Sequence, residues 1–378
     1  MHVAQLNLLP APPELPPQQL LERWHSLPDI AEVVANAGVR VSVLQAAARD
    51  AQLTRNGIDY RFIGTGSPAT GLGRGAWGRR FADVLAGIGA DVVHVHGLQF
   101  AGVAAQIGRS LPRLPILLQD HANRPPRGWL RWRWRRWFAA AAGIAFTSRA
   151  QARPFMDAGL LGSRTVLFGI PESSSRFTPG TQAAARAETG LHGNPCVLWV
   201  GHLAAGKDPL SVLDGVAHAS SRLPDLHLWC AFGTAPLLQA VRQRIRGDPR
   251  LAGRVHLLGP VAHAHIQTLL RASDLFVSGS RAESCGFALL EALACGVPPV
   301  VTDIPAFRAL TGNGRVGALW PCGDAARLAE ALVQAAGCRP PAAQVRAHFD
   351  AALSFTALGR RWSDAYARTL DAHSWSGR

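Results

Sequence analysis

Short apolar runs alternate with amphipathic stretches along most of the chain. The apolar runs predict strands over residues 3–9, 39–44, 60–63, 91–96, 116–119, 144–148, 166–169, 196–200, 227–231, 255–258, 275–277, 297–302 and 317–320. Apolar positions at helical spacing predict helices over residues 18–37, 81–89, 101–110, 128–142, 210–220, 236–245, 266–272, 287–295, 324–336 and 344–370. Strands and helices that alternate in this way predict an α/β fold with doubly wound parallel sheets.

A polar stretch bounded by prolines divides this pattern. Residues 171–180 read Pro-Glu-Ser-Ser-Ser-Arg-Phe-Thr-Pro-Gly, a composition typical of a linker. The chain has 378 residues, which is enough for two domains that each bury a core of their own. We therefore predict Rossmann-like domains over residues 1–170 and 171–343, followed by a helical segment over residues 344–378.

The most informative stretch covers residues 273–303. Its pattern predicts a buried strand, a loop of small polar residues, a short helix and a second strand. Glu283 lies in the loop, and Glu291 lies about one turn inside the helix. The helix begins near Gly286, so its first backbone N–H groups have no intrahelical partner. Together with the helix dipole, these donors favour a bound phosphate group.

The residues of this stretch that resemble the E-x7-E signature of retaining glycosyltransferases of family 4 are Glu283, Gly286, Phe287 and Glu291. The resemblance implies that Glu283 approaches the hydroxyl groups of a donor sugar, that the intervening amides hold a diphosphate, and that Glu291 binds the ribose. It also implies the GT-B fold, in which two doubly wound domains face each other across a cleft and a C-terminal helix crosses back to the first domain. Without the resemblance, Glu283 would be a solvated loop residue and Glu291 half of a surface ion pair.

A second motif follows the first strand of the second domain. Residues 201–209 read Gly-His-Leu-Ala-Ala-Gly-Lys-Asp-Pro, and Lys207 is the only lysine in the chain. The segment is similar to the Gly-Arg-Leu segment with its downstream lysine in the same family, where the two cations neutralise the leaving diphosphate. His202 stands in place of the arginine. To take that role it would have to be protonated or donate one neutral hydrogen bond.

Three histidines follow strand ends in the first domain, where doubly wound sheets bind their ligands. His94 and His96 belong to an Asp-Val-Val-His-Val-His run, and His121 follows the next strand. The resemblance implies that His121 lies against the donor sugar, near the transferred carbon. A lone histidine is more often structural, and we expect that role for His94 and His96.

The motifs together define a candidate site. The predicted catalytic residues are His121, Lys207 and Glu283. The predicted donor-binding residues are Gly201, His202, Lys207, Ser284, Cys285, Gly286, Phe287, Ala288 and Glu291. No Asp-x-Asp occurs in the chain, so we expect no metal ion at the diphosphate and no cofactor besides the nucleotide-diphosphate sugar, which is a co-substrate.

Two loops of the first domain depart from expected patterns. Family members often have a Gly-Gly loop near the diphosphate, where this chain has Pro-Ala-Pro-Pro at residues 10–13.

Residues 64–69 read Gly-Thr-Gly-Ser-Pro-Ala and match G-x-G-x-x-A. They lie outside the first βα unit and contain Pro68, which argues against a dinucleotide fingerprint. We predict that residues 64–75 form a mobile loop facing an acceptor, with a plain surface loop as the alternative.

Tryptophan and arginine alternate over residues 128–142, which read Gly-Trp-Leu-Arg-Trp-Arg-Trp-Arg-Arg-Trp-Phe and then four alanines. At helical spacing neither residue type keeps to one face. One interpretation is an interfacial helix that seats the protein on an anionic membrane through the Trp129–Trp137 segment. The other is a helix whose tryptophans are partly in the core and whose arginines are solvated.

The formal charge of +14 derives almost entirely from arginine. The preference for arginine over lysine, together with the high content of alanine and glycine, indicates the composition of the coding sequence more than a surface that binds nucleic acid. We therefore predict no nucleic-acid partner. Anionic small molecules and anionic lipid fit the charge.

The six cysteines contain no C-x-x-C pair and favour buried free thiols over a disulfide framework or a zinc site. The N-terminus has no signal-peptide pattern, and no stretch is apolar enough to span a membrane. We therefore expect a cytoplasmic protein, with the inner membrane face as the site of any peripheral association.

The motifs and their resemblance to family 4 thus imply a retaining glycosyltransferase that moves a sugar from a nucleotide-diphosphate donor to a hydroxyl of a glycan, a lipid or a small molecule, and the lack of an Asp-x-Asp segment predicts that it is independent of metal ions. A nucleotide-sugar epimerase of the same fold and a catalytically silent nucleotide-binding protein remain alternatives. A glycoside hydrolase that uses Glu283 and Glu291 is disfavoured, because nothing places them on either side of one bond.

Overall fold

A computed structural model of the chain describes residues 1–24, 26–66 and 74–376. The chain forms two compact units, one from Met1–Ser173 with Phe355–Arg378 and one from Ser174–Ser354. The division after Ser173 lies close to the predicted position 170. The second division comes after Ser354 and not after residue 343.

The first unit alternates strands and helices, with short 3-10 turns between some of them. Its elements up to Ser173 are β1 (His2–Asn7), α1 (Pro17–Arg23), α2 (Ser26–Asn36), β2 (Arg40–Ala47), β3 (Ala51–Arg55), β4 (Ile58–Gly64), α3 (Arg74–Ile88), β5 (Val92–His96), α4 (Ala101–Ser110), β6 (Ile116–Gln119), α5 (Leu130–Phe138), β7 (Gly143–Phe146), α6 (Arg153–Asp157) and β8 (Val166–Gly169).

The second unit has the same alternation. Its elements are α7 (Gln182–Thr189), β9 (Cys196–Gly201), α8 (Pro209–Ala219), β10 (His227–Phe232), α9 (Leu238–Arg246), β11 (Val255–Gly259), α10 (His263–Ala272), β12 (Leu275–Ser278), α11 (Phe287–Ala294), β13 (Pro299–Thr302), α12 (Pro305–Thr311), β14 (Ala318–Trp320), α13 (Ala325–Gly337) and α14 (Ala342–Ala352). The chain then returns to the first unit as α15 (Phe355–Ser376).

The first sheet has eight strands in the order β3-β4-β2-β1-β5-β6-β7-β8. Every pairing is parallel except that of β3 with β4. Side chains alternate between the two faces, as the period of two requires. On β1, Val3 packs in a core that includes α2 and α15, whereas Leu6 packs in a second core that includes α3 and α4. The prediction of a doubly wound first domain is confirmed.

The second sheet has six parallel strands in the order β11-β10-β9-β12-β13-β14. Its two faces are also both covered. On β9, Leu198 lies in the core that holds α10 and α11, and Val197 lies in the core that holds α8 and α13. This arrangement places the loops after β9, β10 and β12 at the carboxyl edge of the sheet, where doubly wound folds bind ligands.

The predicted helix over residues 18–37 is two helices, α1 and α2. Pro28 accounts for the break, because its nitrogen has no hydrogen for a bond to the carbonyl of Trp24. That carbonyl accepts instead from Leu27 N–H at 3.0 Å.

The predicted helix over residues 344–370 is also two helices. The N–H of Ser354 bonds to the Phe349 carbonyl at 2.8 Å, five residues back, and the Ser174 hydroxyl donates to the Leu353 carbonyl at 2.6 Å. Since these bonds replace the regular helical ones, α14 ends in the second unit and only α15 belongs to the first.

Strand β3 was not predicted. It forms a hairpin with β4 through Asn56 and Gly57, whose φ angles are 52° and 76°. An Asn-Gly pair is the usual sequence of such a two-residue turn, so the signal was present in the sequence.

Candidate active site

The loop after β9 positions Lys207. A 3-10 turn over Ala205–Lys207 leads to Asp208, which has a φ of 45° and accepts a hydrogen bond from Ser211 N–H as the N-cap of α8. This capping fixes where α8 begins. The turn therefore holds Lys207 at the carboxyl edge of the sheet, six residues after the end of the central strand β9.

The loop after β12 is joined to the loop after β9. The Arg281 guanidinium donates to Asp208 Oδ2 at 2.7 Å, and Arg281 N–H donates to the Gly206 carbonyl at 2.9 Å. Gly279 lets the loops approach, because a Cβ there would lie 2.9 Å from the Asp208 carbonyl oxygen. These contacts hold the two loops in one fixed arrangement.

Lys207 and Glu283 form an ion pair between these two loops, with Lys207 Nζ donating to Glu283 Oε1. The exposed fractions of the side chains are 31% for Lys207 and 15% for Glu283. Glu283 is therefore mostly shielded from solvent, and its charge lies against the chain's only lysine. The two residues that the sequence assigns to catalysis in this domain are thus brought together.

The N-terminus of α11 offers backbone donors beside this pair. Gly286 has a φ of 68° and provides no side-chain cap, so the first N–H groups of the helix, on Phe287 and Ala288, have no intrahelical acceptor. A side chain at Gly286 would meet Phe307 and Leu310 at 3.1 Å. Glycine is thus required here both by conformation and by space.

Glu291, in the second turn of α11, accepts a hydrogen bond from His263, the first residue of α10. The distance from His263 Nε2 to Glu291 Oε1 is 2.6 Å, and the exposed fractions are 75% for His263 and 12% for Glu291. Burial raises the pKa of the Glu291 carboxyl above its usual value, and His263 acts in the opposite direction. His263 was not predicted as a site residue, because it belongs to a different helix.

The ring of His202 has a defined orientation. Its Nδ1 accepts a hydrogen bond from Thr234 N–H at 3.2 Å. In the neutral ring the proton must then be on Nε2. His202 can therefore donate one hydrogen bond without being protonated, which is the second of the two possibilities that the sequence left open.

In the first unit, polar side chains line the carboxyl ends of four neighbouring strands. His121 Nδ1 lies 3.2 Å from Glu172 Oε2, and His121 Nε2 lies 3.4 Å from His96 Nδ1. Thr147 donates to the other oxygen of Glu172 at 3.3 Å. This row of His96, His121, Thr147 and Glu172 follows the order of the strands from β5 to β8.

Glu172 was not among the predicted site residues, because it lies in the segment interpreted as a linker. Glu172 lies three residues after the end of the predicted strand over residues 166–169, which is β8 in the structure. Its place at the carboxyl edge of the sheet could therefore have been inferred.

On β5, His94 is buried among aromatic rings, as expected for a structural role, whereas His96 is only partly buried. His94 Nδ1 lies 2.9 Å from the Tyr366 hydroxyl, and the His94 ring lies 4.5 Å from the Trp362 ring and 4.3 Å from the His96 ring. Burial lowers the pKa of His94 to about 3 and lowers that of His96 well below its usual value. Beside them, burial raises the pKa of Asp120 to about 6.

The proline-rich loop after β1 offers no amide donor over residues 9–13, all of which are described. Ala11 N–H donates to the Ala46 carbonyl at 2.9 Å, and Leu9 N–H donates to Asn7 Oδ1 at 3.3 Å. The remaining residues of this stretch are prolines, which have no N–H. The smaller amide contribution expected from this loop therefore has a structural basis.

The tryptophans of α5 and its N-cap lie partly against the core and partly in solvent. Trp134 and Trp137 pack against the core, and the Trp134 ring lies 5.4 Å from the ring of Phe138. Trp129 and Trp132 are 68% and 57% exposed. The exposed aromatic surface is thus Trp129 with Trp132, beside the guanidinium of Arg136, which lies 5.2 Å from the Trp132 ring.

Three further predictions concern the rest of the chain. All six cysteines have free thiols, as predicted, and the buried ones are Cys196, Cys230, Cys285 and Cys295. Much of the glycine-rich loop, residues 67–73, lies outside the described residues. Over the described ranges no helix has the length and apolar character needed to cross a membrane.

Comparison with protein families finds a match in each part of the chain. Residues 26–167 match the model for Glycosyltransferase Family 4, and residues 194–337 match the model for Glycosyl transferases group 1. The second match contains both motifs of the candidate donor site, from Gly201 to Glu291.

The chain is also similar to curated proteins named D-inositol 3-phosphate glycosyltransferase. It is 34% identical to that of Mycolicibacterium gilvum over 149 residues, which are 38% of this chain and 32% of the relative. It is 32% identical to that of a Mycobacterium species over 187 residues, which are 48% of this chain and 41% of the relative. The matched region thus spans between about a third and two fifths of these relatives.

Solved structures show the same fold over nearly the whole chain. A sucrose-phosphate synthase from Thermosynechococcus elongatus has a TM-score of 0.67 at 19% identity and covers 98% of this chain and 99% of its own. The Anabaena protein HepE, solved in complex with UDP and glucose, has a TM-score of 0.65 at 18% identity and covers 97% of this chain and 99% of its own. The GT-B fold predicted from the sequence is confirmed.

Proposed function

The chain belongs to the glycosyltransferases of family 4 and group 1, and we propose that it transfers a sugar from a nucleotide-diphosphate donor to a hydroxyl group of an acceptor. The observation that carries this proposal is the position of Lys207. The chain's only lysine lies at the carboxyl edge of the second sheet and pairs with Glu283. The uncapped N-terminus of α11 begins four residues after that glutamate.

Sugar transfer breaks the bond between the anomeric carbon and the diphosphate, and negative charge grows on the departing oxygen. A protein accelerates this step by fixed positive groups at that oxygen. An ammonium group can donate three hydrogen bonds. That of Lys207 donates one of them to the Glu283 carboxylate, which leaves two for a ligand. Lys207, His202 Nε2–H and the amides at the start of α11 would then hold the diphosphate.

The two glutamates take different parts of the donor. Glu283, adjacent to Lys207, would accept hydrogen bonds from the sugar hydroxyls and so fix the sugar near the leaving group. Glu291, one turn into α11, would accept from the ribose hydroxyls. Because its carboxyl is 12% exposed, water competes little for these bonds.

We assign the row around His121 to the sugar and the acceptor. Glu172 accepts from the Nδ1 side of the His121 ring and thereby fixes its orientation. As the family resemblance implies, His121 would then present its ring to the donor sugar near the transferred carbon.

Retention of configuration and independence from metal ions are further parts of the proposal. The chain has no Asp-x-Asp segment. Lys207 would supply the positive charge that a metal would otherwise bring to the diphosphate, and His202 would add a neutral hydrogen bond. No carboxylate nucleophile stands out in the sequence. The acceptor hydroxyl would therefore attack on the face from which the diphosphate leaves and give its proton to that diphosphate.

The donor base and the acceptor are best sought by direct tests. Since HepE of Anabaena was solved with UDP, UDP is the first nucleotide to examine, followed by GDP and ADP and by the sugars of each. We also propose that Trp129 and Trp132 seat the protein on anionic lipid, which would give it access to a lipid acceptor or to one made at a membrane surface.

A thermal-shift panel followed by product analysis tests the proposed function. A nucleotide present at 100 times its dissociation constant stabilises the folded protein by about 2.7 kcal/mol, so the matching base raises Tm. The matching donor should then yield a glycoside of an added acceptor. A sugar nucleotide altered at one carbon, with no glycoside formed, would indicate an epimerase, and binding without turnover would indicate a silent protein.

A further inference from the structure

Three histidines meet at the amino-terminal edge of the second sheet, at the opposite end of its strands from the donor site. His227 begins β10, His256 is the second residue of β11, and His192 lies in the loop that precedes β9. Each offers one ligand atom, and the three atoms lie within 4.8 Å of one another. In the described residues, 1–24, 26–66 and 74–376, this is the one such group of histidine, cysteine and carboxylate side chains.

The spacing of the nitrogens suits a metal ion. His227 Nδ1 and His256 Nε2 face each other at 2.9 Å. Two imidazoles on a tetrahedral Zn²⁺, with Zn–N bonds of about 2.0–2.1 Å, have their nitrogens about 3.3 Å apart. A small outward shift of the two rings therefore makes room for an ion, and His192 supplies a third nitrogen on the exposed side.

Other contacts hold the rings of this cluster in place. The Nδ1–H of His192 donates to the Gly190 carbonyl at 3.2 Å, which leaves Nε2 as the nitrogen with a lone pair. Trp229 stacks on His256 with ring centroids 3.8 Å apart and donates from Nε1–H to the His192 carbonyl at 3.0 Å. Support of this kind, with the second ring nitrogen bonded to a carbonyl, is usual around histidines that bind metals.

The loop that carries His192 is built to approach β10. Gly193 has a φ of 129°, and a Cβ on it would lie 2.9 Å from the Cβ of His227. Another residue would be strained there and would push the loop away from the strand. Gly193 therefore allows the close approach that brings His192 into the cluster.

Simple attraction between charges contributes little at this cluster, because the oppositely charged Arg254 and Asp225 both lie near His227. Coordination bonds from the imidazole nitrogens must therefore hold the ion.

We propose that His192, His227 and His256 form a site for a divalent transition-metal ion that prefers imidazole ligands, such as Zn²⁺. Three protein ligands leave a fourth position for water. The bound ion would tie the loop over residues 190–193 to β10 and β11 and stabilise this edge of the second unit. The sequence did not predict the site, because its members come from three separate elements with no motif spacing.

The test is zinc binding by the full chain, prepared without a histidine tag and freed of metal with a chelator. Zn²⁺ is titrated in competition with a chromophoric chelator, and Co²⁺ is added separately to record the absorption bands of a tetrahedral site. The parent should bind one equivalent of Zn²⁺ and should gain Tm when it is added. His192→Ala should weaken binding at least about tenfold, and it should leave the fold intact because His192 is exposed.

His218→Ala is the matched control, since His218 is an exposed histidine of the same unit on α8. It should bind Zn²⁺ as the parent does. Trp229→Phe keeps a ring over His256 but removes the donor to the His192 carbonyl, and it should weaken binding by about tenfold. A parent that takes up no Zn²⁺ at micromolar concentration would overturn the proposal, as would equal binding by the parent and His192→Ala.

Discussion

The ammonium of Lys207 and the carboxylate of Glu283 form one ion pair between two loops that are remote in sequence. Neighbouring contacts between Arg281 and Asp208 hold the same two loops together. The pair therefore sits in a preorganised frame, which is the condition under which fixed charge stabilises a transition state effectively.

Glu291 should control nucleotide affinity through the ribose. Glu291→Ala removes a charge-assisted hydrogen bond worth about 1.5–3 kcal/mol, so the Kd of the free nucleotide should rise about ten- to a hundredfold. The KM of the donor should rise in parallel. Glu330→Ala, which removes an exposed carboxylate on α13, serves as the control in titration calorimetry. If a 2′,3′-dideoxy nucleotide binds the parent as tightly as the normal nucleotide, the ribose assignment is wrong.

His263 should set the pH at which nucleotide binding is lost. Burial raises the pKa of Glu291, and His263 opposes that shift. The carboxylate is present above this pKa and is lost as the pH falls through it. In His263→Ala the pKa of Glu291 rises further, so the affinity should fall at a higher pH than in the parent.

The measurement is the Kd of the nucleotide between about pH 4.5 and 8, in the range where a perturbed carboxyl titrates. His265→Ala, two residues along α10, should follow the parent curve. Superimposable curves for the parent and His263→Ala would contradict this account of the Glu291 environment.

The histidines of β5 should make the first unit sensitive to acid. The pKa of His94 is lowered to about 3 by burial, whereas in the unfolded chain it is near its usual value. Between these values the unfolded chain binds more protons than the folded one, so stability falls as the pH drops below about 6.5, by up to about 1.4 kcal/mol per pH unit for one group.

His94→Phe keeps a ring against His96 and Trp362 but cannot titrate. Its free energy of unfolding in urea should depend less steeply on pH between about pH 6.5 and 4 than that of the parent. His218→Phe, at an exposed position, should leave the slope unchanged. Equal slopes for the parent and His94→Phe would show that burial does not lower the pKa of His94 in the folded protein.

The exposed Trp129 and Trp132, at the start of α5, should mediate binding to anionic membranes. The Trp129→Ala/Trp132→Ala variant should co-sediment less with liposomes that contain anionic lipid, with no loss of Tm, and high salt should release the parent. Trp134→Ala instead removes a ring packed on Phe138 and should lower Tm. Binding that is absent in the parent, or unchanged in the double variant, would exclude a membrane role for this surface.

Much of the fold could be predicted from local patterns. The buried strands of parallel sheets are continuous apolar runs, and α4, β6 and β8 have the predicted bounds. The errors come from features that act over a few residues or through tertiary contacts. Pro28 divides a helical pattern, and the hydroxyl of Ser174 bonds the carbonyl that ends α14.

The candidate site could be predicted only where a motif is continuous in sequence. The stretch around Glu283 and the segment that contains Lys207 were each visible, but their contact depends on the order of strands in the sheet. Glu172, His263 and the cluster of three histidines depend on pairs of elements brought together by folding. A single sequence does not encode those pairings in any local pattern.

The most direct test of the proposed function is the turnover number of Lys207→Ala with a donor that the parent uses. Charge on the leaving diphosphate is greatest in the transition state, so kcat should fall by about 10²–10³, as for loss of one oxyanion donor. KM should change less, and Lys207→Arg should recover activity only in part. Arg327→Ala, which breaks an exposed ion pair on α13, should keep the parent's kcat. Near-parental turnover by Lys207→Ala would contradict the leaving-group role of Lys207.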